Sequence, residues 1–185
     1  MGLALQSTLA NFFAGLHIIS DRPVQIGDFV EIPGDNISGF VDDIGRRSTR
    51  IRTFANTLVV IPNNKLAESI IVNTNLPQDE VSVYISCGVA YDSDLQIVED
   101  TTKKVAKKIL KKIEGAIPDF EPLVRFNEFG DSNINFTIIL RTEKFENKFA
   151  LTHEFIKALH AEFNRQDIEI SRPVRKVFLH QPDTN

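Results

Sequence analysis

The sequence predicts an α+β protein in which one helix precedes a small β domain and a larger α/β domain. Three features predict this organisation. Residues 1–20 are apolar and have a helical make-up, residues 21–75 form short alternating segments broken by Gly, Pro and Asn, and residues 76–172 alternate strands with amphipathic helices. Residues 173–185 are expected to hold one further strand and a tail.

The composition is that of a globular protein. The chain has 185 residues, of which 42% are hydrophobic and 25% charged, enough for one large or two small cores. Its 21 Lys and Arg against 25 Asp and Glu give a net charge of -4, so no global positive field attracts nucleic acid or an anionic membrane. The single cysteine, Cys87, can form no internal disulfide, which favours a reducing compartment.

The N-terminal helix carries small residues at intervals of four. They are Ser7, Asn11 and Gly15 in one series and Ala10 and Ala14 in another. Small residues at this spacing let a neighbouring helix approach closely. A helix packed on its own domain is the equal alternative. Polar residues such as Gln6 and His17 interrupt the apolar stretch, so it predicts neither a membrane span nor a signal peptide.

Five short strands are predicted in the β domain, with turns rich in Gly, Pro and Asn between them. The predicted strands are residues 28–32, 39–44, 46–53, 58–61 and 70–73, and the turns include residues 33–36, 55–56 and 62–64. A small five-stranded Sm/SH3-like barrel is the expected arrangement, because closure removes exposed strand edges.

The rest of the chain has the order β-α-β-β-α-β. Strands are predicted at residues 81–87, 123–129, 133–142 and 168–171, and helices begin near residues 94 and 149. This is the ferredoxin-like order, an antiparallel sheet with both helices on one face. Residues 174–180 form a further strand with no partner inside the domain, so we expect it to pair with other copies of the chain.

No pattern for catalysis or metal binding is present, so we predict no enzyme, no metal site and no cofactor. His153 and His160 share a helix face, but their spacing is not that of a zinc hydrolase. Asp42 and Asp43 occupy adjacent strand positions that are expected to face opposite ways. Cys87 lies on the apolar face of its strand, where a small core residue is the expected role.

Arg46, Arg50 and Arg52 alternate onto one face of a predicted strand. This face could bind phosphates, and small five-stranded barrels do bind nucleic acids. The acidic net charge and the lack of several exposed aromatic residues argue against it. A structural or anion-attracting role at a subunit interface is the favoured interpretation, and no nucleic-acid partner is expected.

Several motifs, in order along nearly the whole chain, resemble the cytoplasmic side of the small-conductance mechanosensitive channel (MscS) family. Residues 6–11 (QSTLAN) with Ala14 and Gly15 resemble the lower half of the pore helix. The β-domain motifs are residues 22–28 (RPVQIGD), 39–44 (GFVDDI) and 60–65 (VIPNNK), and the α/β-domain motifs are residues 88–94 (GVAYDSD), 124–130 (VRFNEFG) and 134–136 (INF). Because these motifs follow one another in the same order as in the family, chance does not explain the similarity.

The resemblance implies a homoheptamer whose pore helices ring a central axis above a hollow vestibule with side portals. Residues 174–180 would then contribute one strand to a sevenfold barrel. Asn11 and Asn63 match family positions that approach each other between the pore helix and the β domain. Leu3 matches a pore-facing leucine of a hydrophobic gate. The implied pore-lining and gating residues are Leu3, Gln6, Ser7, Ala10, Asn11, Ala14 and Gly15.

Two residues depart from the family pattern, namely Ser7 at the usual glycine kink and Asn64 where glycine is common. A helix bends less freely at serine than at glycine, which puts desensitisation by buckling at Ser7 in question.

The family's membrane helices are expected to precede Met1 and to carry the contact with the bilayer. The expected function is the cytoplasmic vestibule and lower pore of a channel that releases ions and small solutes on osmotic downshock, on the cytoplasmic side of the membrane. The alternatives are a nucleic-acid-binding ring or a ligand-sensing α/β module.

Overall fold

The computed structural model describes the backbone of residues 2–173 and the side chains of residue 6 and residues 8–173. The chain divides into two compact units between Glu80 and Val81. The first unit contains α1 (Gly2–Asp21), β1 (Phe29–Ile32), β2 (Ile37–Ile44), β3 (Ser48–Arg52), β4 (Leu58–Pro62), α2 (Asn63–Glu68) and β5 (Val72–Asn73). The second contains β6 (Val81–Val89), α3 (Leu95–Leu110), β7 (Leu123–Phe129), β8 (Ile134–Thr142) and α4 (Asn147–Arg165).

The five strands predicted in the first unit are confirmed, and they form one antiparallel sheet in the order β4-β3-β2-β1-β5. Within the described residues, β4 and β5 are the two ends of this sheet and are not paired with each other. The core is built from inward aliphatic side chains of the strands together with Val24 of the segment before β1 and one residue each from α1 and α2, Ile18 and Leu66. The helix α1 therefore belongs to the same packed unit as the sheet.

Two predicted element boundaries in this unit are wrong. The turn predicted at residues 62–64 is the start of α2, because Asn63 donates its backbone N–H to the carbonyl of Arg47 and Leu66 is drawn into the core. The strand predicted from Arg46 begins at Ser48, because the Gly45 N–H bonds to the Ser48 carbonyl at 2.9 Å and closes a tight turn.

The second unit has a three-stranded antiparallel sheet in the order β6-β8-β7. Alternate residues of β8 are buried, and they pack against the apolar faces of α3 and α4 in a single core. Cys87 packs at the margin of this core, and burial raises the pKa of its thiol. The predicted two-helix, antiparallel arrangement is therefore confirmed.

The fourth strand predicted for this sheet is reduced to one bridge, between Val89 and Ile170. Flanking bonds run from the Ala90 N–H to the Glu169 carbonyl and from the Ser171 N–H to the Gly88 carbonyl. The position beside β6 is that of the fourth strand in a ferredoxin-like sheet. Pro173 has no N–H with which to extend the pairing. The strand predicted at residues 174–180 lies outside the described residues.

Candidate functional site

The helix α1 is held to its own unit along one narrow line. Asn11, Gly15 and Ile18 follow one another at helical spacings of four and three residues, so they share a face. Ile18 is buried in the core of the unit, and Gly15 is buried against α2. Asn11 and Gly15 both contact the helix's own unit along this line, as the second interpretation of the small residues expects.

Asn63 is fully buried and joins α1 to the sheet. Its side-chain amide donates to the carbonyls of Gly45 at 2.9 Å and Asn11 at 3.5 Å, and its Oδ1 accepts from the Thr49 hydroxyl at 3.0 Å. The Asn11 Oδ1 in turn accepts from the backbone N–H of Asn64 at 3.1 Å. The structure therefore brings together Asn11 and Asn63, two of the residues singled out in the sequence.

Gly15 is required by the close approach of this amide. A Cβ at position 15 would lie 2.4 Å from the Asn63 Nδ2 and 3.3 Å from the Arg46 carbonyl oxygen. The Asn63 side chain cannot move away without losing its bonds to Gly45 and Thr49. The small residue at this point is therefore explained by packing within one chain.

Thr49 was not singled out in the sequence, although a signal for it exists. It is buried next to Ile51 on the inward face of β3, while Arg50 and Arg52 point outward. A polar residue at an inward strand position needs a hydrogen-bond partner, and the buried Asn63 supplies it.

The remaining faces of α1 are open. Its exposed large apolar residues are Leu9, Phe12, Phe13, Leu16 and Ile19. Of the predicted pore residues, Gln6 and Ala10 are exposed and Ala14 is half-buried. Leu3 and Ser7 belong to the helix by backbone, but their side chains lie outside the described residues. Most of this apolar surface therefore lacks a covering group within the described chain.

The arginine face differs from the prediction in two respects. Arg46 lies in the turn before β3 rather than on the strand, so only Arg50 and Arg52 share the face. A bulge between Val41 and Asp43 brings both neighbouring carboxylates to these arginines instead of to opposite faces. The Arg52 Nε donates to Asp42 at 3.2 Å, and the Arg50 Nη1 lies 3.7 Å from Asp43.

These ion pairs reduce the positive charge that the arginine face can offer to an anion. Each arginine has a carboxylate beside it, so the local charge is nearly balanced. All four side chains are about half exposed, and such pairs contribute little to stability. Within residues 2–173 no cluster of three His, Cys, Asp or Glu side chains is arranged to hold a metal ion.

None of the helices that the structure describes has the length and hydropathy of a bilayer span.

Two family models match the chain in consecutive order. The model described as "Mechanosensitive ion channel, beta-domain" matches residues 7–76, and the model described as "Mechanosensitive ion channel MscS, C-terminal" matches residues 83–170. The chain belongs to the MscS family of mechanosensitive ion channels. The first match includes most of α1 together with the sheet, in agreement with their packing as one unit.

Relatives and solved structures match almost the full chain. The small-conductance mechanosensitive channel MscMJ and the large-conductance mechanosensitive channel MscMJLR, both from Methanocaldococcus jannaschii, are each 32% identical over 98% and 99% of this chain. The chain spans about half of each relative, 51% of its length. Helicobacter pylori MscS in its closed state aligns with a TM-score of 0.82 at 28% identity, over 97% of this chain and 68% of that one.

Proposed function

We propose that this chain is the vestibule and lower pore of a mechanosensitive channel that releases ions and small solutes on osmotic downshock. In this proposal residues 1–20 are the lower half of the pore helix, residues 21–75 the β domain, residues 76–172 the α/β domain and residues 173–185 the C-terminal strand and tail. The membrane helices that sense tension belong to another part of the same protein, and they provide its contact with the lipid bilayer. The chain then lies on the cytoplasmic side of the membrane and performs no catalysis.

The observation that carries this proposal is the half-covered helix α1. One line of α1 is anchored to the sheet through Asn11, Gly15 and Ile18, while large apolar residues elsewhere on it are exposed. A helix that is apolar on several faces needs neighbours on those faces. A ring of identical helices supplies them, and its inner surface is then available as a pore lining.

Assembly as a homoheptamer would also give partners to the sheet edges at β4 and β5, which each have one neighbouring strand within the described residues. Rings bring two different patches of each copy together, and closure leaves neither patch free. Apart from Asn11 and Gly15, which contact the β domain, the predicted pore positions, Leu3 and Ser7 among them, would face the axis or the neighbouring helix. In the closed state Leu3 would narrow the pore and gate it by dewetting.

Patch-clamp recording of the whole gene product, reconstituted alone in liposomes, tests the proposal. We expect stepwise currents that appear only when suction is applied and that are absent from liposomes without protein. Silence up to membrane rupture, from protein shown to be inserted and heptameric, would contradict the channel function while leaving the family fold intact. A ligand-sensing α/β module would then be the better interpretation.

The nucleic-acid-binding ring has no comparable support. Its argument depended on three outward arginines, of which Arg46 lies in a turn and the other two have carboxylates beside them. A binding measurement with single-stranded RNA at low salt is expected to give no saturable affinity, because the two strand arginines already have carboxylates beside them and would neutralise few phosphates.

A further inference from the structure

The turn between β2 and β3 presents two adjacent arginines to solvent, Arg46 and Arg47. Both side chains are exposed, and neither forms an ion pair with a described carboxylate. Arg50 and Arg52, on the strand that follows, do have carboxylates beside them, and one of these is Asp43 at the end of the preceding strand. The turn is therefore a local cationic site on a chain whose net charge is -4.

The backbone of this turn is fixed from two sides. The Gly45 N–H donates to the Ser48 carbonyl at 2.9 Å and closes the turn. Asn63 then holds it from α2, because its backbone N–H donates to the Arg47 carbonyl at 2.9 Å and its side-chain amide donates to the Gly45 carbonyl at 2.9 Å. The attachment points of both arginine side chains are therefore fixed before any ligand binds, which lowers the entropy lost on binding.

The turn packs beside the exposed apolar face of α1. The Arg46 carbonyl oxygen lies 3.3 Å from the position that a Cβ on Gly15 would take. Phe12 and Ile19 are neighbours of Gly15 on the helix surface, three residues before it and four after it, and they are 47% and 54% exposed. At about 100° per residue, the exposed large apolar residues of α1 fall within about a third of the helix circumference. They are Leu9, Phe12, Phe13, Leu16 and Ile19.

The helix α1 has no basic side chain of its own apart from His17. Between Gly2 and Asp21 it contains neither lysine nor arginine. A helix that lies in the interface of a membrane combines an apolar face with basic side chains that contact lipid phosphates. Here the adjacent turn supplies the basic side chains, so two segments far apart in sequence together provide both parts of an interfacial site.

We infer that Arg46 and Arg47 bind the phosphate groups of anionic lipids at the cytoplasmic surface of the membrane, while Phe12 and Ile19 contact the same lipids through their apolar groups. Neighbouring helices of the proposed ring cover the other parts of α1. Two arginines neutralise too few phosphates to hold a nucleic acid, whereas a lipid surface engages the charges and the apolar face together. The ligand is therefore a lipid.

This inference rests on the proposed function for the position of the chain beside the bilayer. It adds a lipid contact that the chain makes itself, in addition to the contact made by the membrane helices.

Flotation of the chain with phospholipid vesicles tests the site. One set of vesicles contains phosphatidylcholine alone, and the other contains equimolar phosphatidylcholine and phosphatidylglycerol. We expect tighter binding to the anionic set, and we expect high salt to remove the difference because it screens the charges. Arg46→Gln combined with Arg47→Gln should weaken binding to the anionic vesicles by about 30-fold, which is about 5-fold for each arginine.

Three double variants serve as controls, and circular dichroism checks that each is folded. Arg50→Gln with Arg52→Gln removes the same formal charge from arginines that already have carboxylates beside them, and it should change binding little. Lys108→Gln with Lys111→Gln removes two exposed charges from α3 and should also change binding little. Arg46→Lys with Arg47→Lys keeps the charge and should retain most of the affinity.

Several outcomes would overturn the lipid site. Equal binding to both sets of vesicles would show that charge plays no part. Equal weakening by either glutamine control would place the attraction outside the turn. Displacement of the chain from vesicles by soluble glycerol phosphate at constant ionic strength would identify a free phosphate as the ligand.

The whole gene product provides a second readout. After purification from equimolar phosphatidylcholine and phosphatidylglycerol, native mass spectrometry should find fewer bound phosphatidylglycerol molecules on the variant at Arg46 and Arg47 than on the variant at Arg50 and Arg52. Equal retention would contradict the site, and tension-gated currents from both variants would leave the proposed channel intact. Absence of currents from the unaltered protein would contradict the channel but not the lipid binding.

Discussion

At the scale of single residues, the contact between Gly15 and Asn63 is the most constrained point of the first unit. Asn63 has no exposed surface, and its amide and carbonyl groups are bound to the sheet and to α1. Resemblance placed Asn11 close to Asn63, but the reason for the glycine at position 15 is visible only in the structure. Asn11 and Gly15 of α1 therefore pack as one unit with Thr49 and Asn63, which lie more than 30 residues later in the chain.

Gly15→Ala is expected to destabilise the first unit by about 1–2 kcal/mol. The added methyl group displaces the Asn63 amide, and the resulting overpacking exceeds the gain in helix propensity of about 1 kcal/mol. Urea unfolding of the variant gives the difference directly. Gly34→Ala is the matched control, because a Cβ there meets no atom within 4 Å and the change should be nearly neutral. Equal stabilities of the two variants would contradict the close approach.

Glu162 provides a pH prediction at the same scale. The Arg165 guanidinium, followed by the Gln166 amide, lowers the pKa of this carboxyl from 4.5 to about 2. Because the folded-state pKa lies below the unfolded one, the interaction is fully present above pH 4.5 and is lost as the pH falls toward 2. A carbon-13 NMR titration should give a pKa near 2 for Glu162, and Arg165→Gln should move it toward 4.5. Glu154, whose pKa is lowered by Lys157, is the internal control and should not respond.

At the scale of elements, strands and helices were predictable wherever side-chain alternation or helical spacing was regular. The sequence of β8 alternates over its full length, and each of its inward residues is buried. The predictions failed at Arg46, Pro62 and Asp42, where one backbone bond or one inserted residue changes the local geometry. Such features depend on neighbours from another strand, which a sequence pattern does not contain.

The start of α3 gives a prediction for one element. The Asp94 carboxylate accepts bonds from the backbone N–H groups of Gln96 and Ile97 at 2.9 and 3.2 Å, which satisfies two donors at the helix N-terminus. Asp94→Ala should therefore cost about 1 kcal/mol. Chemical denaturation followed by circular dichroism measures this loss. Asp92→Ala, an exposed neighbour outside the cap, should change stability by less, and an equal loss would contradict the capping role.

At the scale of the whole molecule, two separate hydrophobic cores predict two patterns of protection from hydrogen exchange. Phe136→Ala removes a fully buried ring from the second core and should cost about 3–5 kcal/mol. We expect amides of β6 and β8 to lose protection far more than those of β2 and β3. Ile51→Ala, in the first core, is the reciprocal variant. Equal loss in both units from either variant would show that they unfold as one.

The family and most of the order of strands and helices were determined by the sequence alone, because motifs and side-chain periodicity are properties of a continuous chain; α2 and the single bridge at Ile170 are the exceptions. The partners of individual polar groups were decided only by the tertiary structure. It placed Thr49 and Gly15 around the Asn63 amide, gave the outward arginines carboxylates through a bulge, and gave β4 and β5 one neighbouring strand each among the described residues. The contacts form because segments far apart in sequence come within hydrogen-bond or van der Waals distance. A sequence pattern does not show which segments meet, or which groups stay uncovered within the described chain.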